Sequence, residues 1–143
     1  MVVSDAILVY SPEKELEVLA QLGERGDLVD WKPAIVLAAA YLEKFGIDRL
    51  KRYFEDRKIQ LSGRLENLSL NEVAIFLYGL EMINERFFTY MTQIWSERGN
   101  IVHQKGTLPA YVGNEANKKY GKMIRNALKI IRFLKTQEDE KHE

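Results

Sequence analysis

Apolar residues recur along this chain at the spacing of helix faces, and no stretch alternates convincingly as a half-buried strand would. Ser11-Pro12 reads as an N-cap followed by proline at the first helical position, with Gly23 as a stop, predicting a first helix over 11–22. A second begins near Asp30 or Lys32 and carries Ala34-Ile35-Val36-Leu37-Ala38-Ala39-Ala40-Tyr41-Leu42. That run is apolar nearly all round and so predicts a central, buried helix. Gly46 is a candidate kink before Ile47, Leu50, Tyr53 and Phe54 extend the pattern to about residue 56. Residues 57–68 read as a polar connection. Ser69-Leu70-Asn71-Glu72 is a capping box opening a third helix to about Met82. A fourth spans roughly 84–103, Gly106, Pro109 and Gly113 form a loop, and a fifth runs from about Asn114 to Lys135. The expectation is one all-α domain over residues 1–135, an antiparallel four/five-helix bundle, followed by a polar tail over 136–143 that is expected to be disordered.

Composition narrows this reading. The 143 residues suffice for one hydrophobic core, and a balance of 46% hydrophobic and 29% charged residues is that of an ordinary globular domain. No apolar run approaches the ~20 residues of a membrane span. Met1 to Tyr10 carries Asp5 and no basic flank, so it does not read as a signal peptide. With no cysteine, disulfide frameworks, thiolate metal sites and cysteine nucleophiles are excluded, and a cytoplasmic location is the expectation. No metal-ligand spacing and no glycine-rich phosphate loop occur, so neither a metal nor another cofactor is expected.

Net charge is zero but unevenly spread. Residues 98–135 hold nine cations against the single acid Glu115, a net +8, and the rest of the chain carries −8. In the last helix Lys118, Lys122, Arg125, Lys129 and Arg132 lie within about 80° of one another, opposite Tyr120, Ile124, Leu128, Ile131 and Leu134. Such a ladder repels itself by about 0.2–0.5 kcal/mol per i,i+4 pair. RNA phosphates would relieve that repulsion. The alternatives are a solvated face, or one turned toward the acidic N-terminal half.

Within the fourth helix, Phe87, Met91, Ile94, Trp95, Ile101 and Val102 share an arc, with Arg98 at its centre. A guanidinium is always charged, so an apolar stripe receives it only with an anion or a partner surface in place. His103 follows five residues on, a rotation of about 140°, so the two side chains do not share a face. Either Arg98 bends toward His103, or a two-fold dimer sets one chain's Arg98 beside the other's His103. Together they suit metal-free RNA cleavage, the imidazole as general base and then acid, the guanidinium on the scissile phosphate. The bland alternative pairs Arg98 with Glu81 or Glu43 and leaves His103 solvated near a helix C-terminus.

The segment Glu97-Arg98-Gly99-Asn100-Ile101-Val102-His103, late in the fourth helix, resembles the signature of the HEPN family (higher eukaryotes and prokaryotes nucleotide-binding domains), an arginine followed four to six residues later by histidine. The helix pattern agrees over about residues 30–135. The resemblance implies a helical bundle that forms a homodimer, with the motifs of both protomers lining one cleft. In many members that cleft is a metal-independent endoribonuclease, and several act as toxins or defence nucleases beside a nucleotidyltransferase-type antitoxin partner. It would make Arg98, His103 and Asn100 the catalytic set, and Lys105, Lys118, Lys122, Arg125, Lys129 and Arg132 the RNA-binding cations. Two positions depart from the family's pattern. Gly99 stands where active members place a polar residue, often asparagine, with Asn100 one later. Lys105 stands where members regulated by adenylylation carry tyrosine, so that control is not supported. The expected function is RNA binding with candidate metal-independent cleavage to 2′,3′-cyclic phosphate ends. The alternatives are a non-catalytic interaction protein and a small-nucleotide-binding module.

Overall fold

The computed structural model describes residues 11–27, 31–60, 63–102 and 113–137, and every regular element among them is helical. These are α1 (Pro12–Glu24), α2 (Trp31–Asp56), a 3-10 turn (Arg64–Asn67), α3 (Leu70–Gly79), α4 (Glu85–Val102) and α5 (Gly113–Thr136). Met1–Tyr10, the helix start near Asp30, His103, Lys105, the Gly106/Pro109 loop and the tail beyond 137 lie outside the described residues.

Local chemistry sets the helix starts. Ser11 Oγ accepts from the Lys14 N–H at 3.1 Å with Pro12 in the first turn. Ser69 and Glu72 form the reciprocal capping box, at 2.8 and 3.2 Å. Asn84 Oδ1 accepts from the Phe87 N–H at 2.8 Å and opens α4. Three helices end by one device, in which the residue after the C-cap turns left-handed and its neighbour's N–H reaches back five residues. Gly26 (φ 82°) does this after α1, where Asp27 bonds Leu22 O at 2.7 Å. Lys58 (φ 58°) and Glu81 (φ 61°) do it after α2 and α3. The first helix therefore runs through Gly23 to Glu24 and turns at Gly26, and the third stops short of Met82 because Glu81 breaks it.

Gly23 has another task. A Cβ on it would sit 2.5 Å from the Gly121 Cα, and one on Gly121 would sit 2.8 Å from the Glu24 nitrogen. Here α1 and α5 cross backbone against backbone. Gly46, expected as a kink, lies inside an uninterrupted α2 and admits Val73 of α3, whose Cγ1 occupies the place a side chain would need.

The four long helices, α1, α2, α4 and α5, alternate in direction. α1 runs antiparallel to α5, and Glu13 lies beside Lys135 while Glu24 lies beside Arg125. α4 also runs antiparallel to α5, with Glu97 against Tyr120 and Phe87 against Phe133. α2 runs parallel to α5, from Trp31 stacked on Tyr120 to Arg52, which donates to Leu134 O at 2.8 Å. α2 touches every other helix, as its apolar run predicts, and α1 packs mainly on α5. The core is built by Ile35, Ala38, Leu42 and Leu50 of α2, Val73 and Leu77 of α3, Met91 and Ile94 of α4, and Ile124, Leu128 and Ile131 of α5. No helix among the described residues is long and apolar enough to cross a membrane.

Identical substitutions at two glycines separate crossing geometry from helix propensity. Gly121→Ala is expected to destabilise the protein by about 1–3 kcal/mol through overpacking against α1. Gly99→Ala, where nothing lies within 4 Å of the added carbon, should stabilise it by about 0.5–1 kcal/mol. Urea unfolding of the two variants checks both signs.

Candidate functional site

The stripe on α4 is covered along one edge, where Ile101 also packs against the core, and open along the other. Met91 and Ile94 are fully buried, whereas Trp95 and Val102, seven residues apart on one edge of the face, are 37% and 60% exposed. Arg98 stands between these regimes, half-buried. It makes no hydrogen bond or ion pair with any described residue, and neither Glu43 nor Glu81 reaches it. The residue before it is held firmly. Glu97 accepts from the Tyr120 hydroxyl at 2.7 Å, and the Tyr120 ring stacks on Trp31 at 3.9 Å with planes 3° apart. α2, α4 and α5 thus fix the backbone from which Arg98 projects.

Asn100 is exposed and, two residues on, about 160° around the helix from Arg98, so within one protomer the pair does not converge. Gly99 faces open space. His103 and Lys105 lie outside the described residues, so the structure does not place the imidazole relative to Arg98.

The cation ladder of α5 divides in two. Arg125 bonds Glu17 of α1 at 2.8 Å through one terminal nitrogen and Glu24 at 3.0 and 3.1 Å through the other and Nε. Arg132 reaches Glu17 at 3.4 Å, and Lys135 bonds Glu13 at 2.7 Å. Those cations face the acids of α1, the electrostatic complement that the charge asymmetry allowed. Lys118, Lys122 and Lys129 are exposed, with no ion pair to a described residue. They are the part of the ladder open to an external anion.

Arg125 sets the titration of its partners. Its hydrogen bonds hold the Glu17 and Glu24 carboxyls below their ordinary value of 4.5, partly opposed by burial. Reciprocally, bonds to Glu24 and Glu17 raise the arginine's own pKa. No set of three or more His, Cys, Asp or Glu among the described residues is arranged to hold a metal ion.

Sequence reasoning missed three features. Arg49 is the buried arginine, 3% exposed, its Nε donating to Gln137 Oε1 at 3.2 Å while Gln137 Nε2 donates to Met82 O at 2.8 Å. Asn126 is a buried amide, 8% exposed, beside the ladder. Glu13, Glu17 and Glu24 form an acidic stripe at i, i+4, i+11, which is the signal that would have paired α1 with Arg125, Arg132 and Lys135. Compared with known proteins, the chain matches no family model, no curated protein and no solved structure.

The depressed carboxyls make part of the stability pH-dependent. It is fully present above pH ~4.5, the unfolded value, and is lost as pH falls through the lower folded values. Arg125→Met should remove that acid-side loss and lower stability at pH 7 by about 1–2 kcal/mol, the low end for charge-assisted bonds because the pairs are partly exposed. Thermal melts of both proteins between pH 3 and 7 measure this.

Proposed function

We propose that this chain is a HEPN-like RNA-binding protein that acts as a homodimer, with the C-terminal half of α4 from each protomer lining a shared cleft. One observation carries the reading. Arg98 is a permanent charge held half-buried on an apolar stripe, with no partner of its own among the described residues. A two-fold partner covering Trp95 and Val102, with a phosphate at the guanidinium, would satisfy the apolar and the charged requirement at once. Lys118, Lys122 and Lys129 extend the positive surface along α5.

The chemistry follows from the residue types. His103 takes the proton of a ribose 2′-hydroxyl, and the 2′-oxygen attacks phosphorus. The bond to the 5′-oxygen breaks, and the imidazolium returns its proton to that leaving oxygen. Arg98 stabilises the charge on the phosphoryl oxygens. The products are a 2′,3′-cyclic phosphate and a 5′-hydroxyl, with no metal required. A nucleotidyltransferase-type antitoxin is the partner this reading suggests.

Two observations favour a second, non-catalytic reading, a HEPN-like interaction protein. Arg125 and Arg132 are committed to α1, and Gly99 supplies no polar group beside Arg98.

Cleavage of single-stranded RNA in the presence of EDTA separates the two. The catalytic reading expects His103→Ala to lose about 10²-fold or more of the rate, and Arg98→Ala a comparable amount. Equal activity in wild type and His103→Ala, or none in either, removes it. The interaction reading expects Arg98→Ala to weaken dimerisation in sedimentation experiments with no change in nuclease background.

A further inference from the structure

A groove of about 510 Å³ runs between α4 and α5, on the side of α4 opposite Trp95 and Val102. Its volume falls within the range of small-molecule sites, about 300–1,000 Å³. The antiparallel register that sets Glu97 against Tyr120 and Phe87 against Phe133 arranges its walls in two levels. Glu97 of α4 and Lys122 of α5 stand at the first, and Gln93 and Asn126 at the second. One helical turn, about 6 Å along the axes, separates the two.

Charge is unmatched at the first level. Glu97 accepts from the Tyr120 hydroxyl through one carboxylate oxygen, and the other oxygen has no partner among the described residues. Lys122 is exposed and without an ion pair, so two opposite charges line one groove without meeting. Lys119 borders the same level, its ammonium over the Tyr120 ring at 5.4 Å. An anion held here would face the Glu97 carboxylate, and a cation would face Lys122. A zwitterion satisfies both walls through charge-assisted hydrogen bonds.

Amides are unmatched at the second level. Asn126 is more than nine-tenths buried, yet its side chain has no hydrogen-bond partner among the described residues. No described side-chain polar atom is both sealed from solvent and unpartnered, so this amide opens onto the groove that it lines. Leucine would fill the same volume on a helix face whose neighbours Ala127, Ile130 and Ile131 are all buried. Gln93 stands across from it, exposed and equally without a partner. A primary amide carries both donors and an acceptor, and another carboxamide answers both in one planar pair. Met123, between the two levels, offers apolar contact to methylenes.

We propose that the α4–α5 groove binds a free α-amino acid with a carboxamide side chain, glutamine by its length. The ammonium lies on Glu97, the carboxylate on Lys122, and the side-chain amide on Asn126 and Gln93. Glutamine spans one helical turn with a hydrogen bond at each end, and asparagine is one methylene short. The site shares Lys122 with the positive surface of α5 but uses no atom of Arg98 or His103. It therefore stands or falls separately from RNA cleavage.

Isothermal titration of the full chain with L-glutamine tests the proposal. Saturable binding is expected, weakened at least tenfold by Glu97→Gln, by Lys122→Glu and by Asn126→Leu. It should be unchanged in Lys129→Glu, whose side chain lies outside the groove lining. L-Asparagine, L-glutamate and N-acetyl-L-glutamine should each bind at least tenfold more weakly than L-glutamine. Absence of saturable binding overturns the proposal, as does affinity unchanged in Glu97→Gln or Lys122→Glu. Any of the three analogues binding as tightly as L-glutamine also overturns it. Lys122 is exposed and Glu97→Gln keeps an acceptor for Tyr120, so the test holds even if Asn126→Leu fails to fold.

Discussion

The contact on which the rest of this structure depends is the crossing of α1 and α5 at Gly23 and Gly121. Two glycines let the backbones meet where a Cβ on Gly23 would stand 2.5 Å from the Gly121 Cα. That approach brings Glu13, Glu17 and Glu24 within hydrogen-bond reach of Lys135, Arg132 and Arg125. A self-repelling ladder is thereby half neutralised within the fold, and the carboxyls facing it titrate below their usual range. The cations that remain, Lys118, Lys122 and Lys129, are those whose helical phase carries them away from α1. Backbone packing at one point thus decides which charges the protein offers outward.

Two arginines lie against apolar surface, and they are treated oppositely. Arg49 is almost wholly enclosed and is received by Gln137, whose own amide is anchored on the Met82 carbonyl. Beside it Arg52 caps Leu134, so two guanidiniums meet the negative end of α5. Burying a charge is tolerable there because hydrogen bonds and the helix dipole replace water. Arg98 has no comparable reception within the described chain, although Glu97 next to it is locked to Tyr120. A rigid base carrying an unreceived charge is the physical content of the functional reading. Arg49 explains why half-burial alone would not have been enough to mark a site.

α4 presents two surfaces to that reading. One is the edge of the apolar stripe that bears Trp95 and Val102, and the other is the polar groove against α5 with Asn126 in its wall. They lie on different sides of the same helix.

The helices, their order and most of their caps were legible in the residues themselves. Ser11-Pro12 and the Ser69/Glu72 box act over three positions in sequence, and periodicity at 3.6 residues needs no partner to be read. The ends were less legible. Gly23 looks like a stop, but the chain continues to Gly26, because what demands a glycine at 23 is α5, nearly a hundred residues away. Gly46 likewise answers to Val73 and leaves α2 unbroken. Arg98 was found from helical phase alone, whereas Arg49 and Asn126 read as ordinary polar positions until neighbouring helices enclosed them. An all-helical chain and the position of Arg98 on an apolar face follow from local periodicity, and the charge asymmetry follows from composition along the chain. Which cations meet α1 and which arginine is buried depend instead on how closely helices distant in sequence approach.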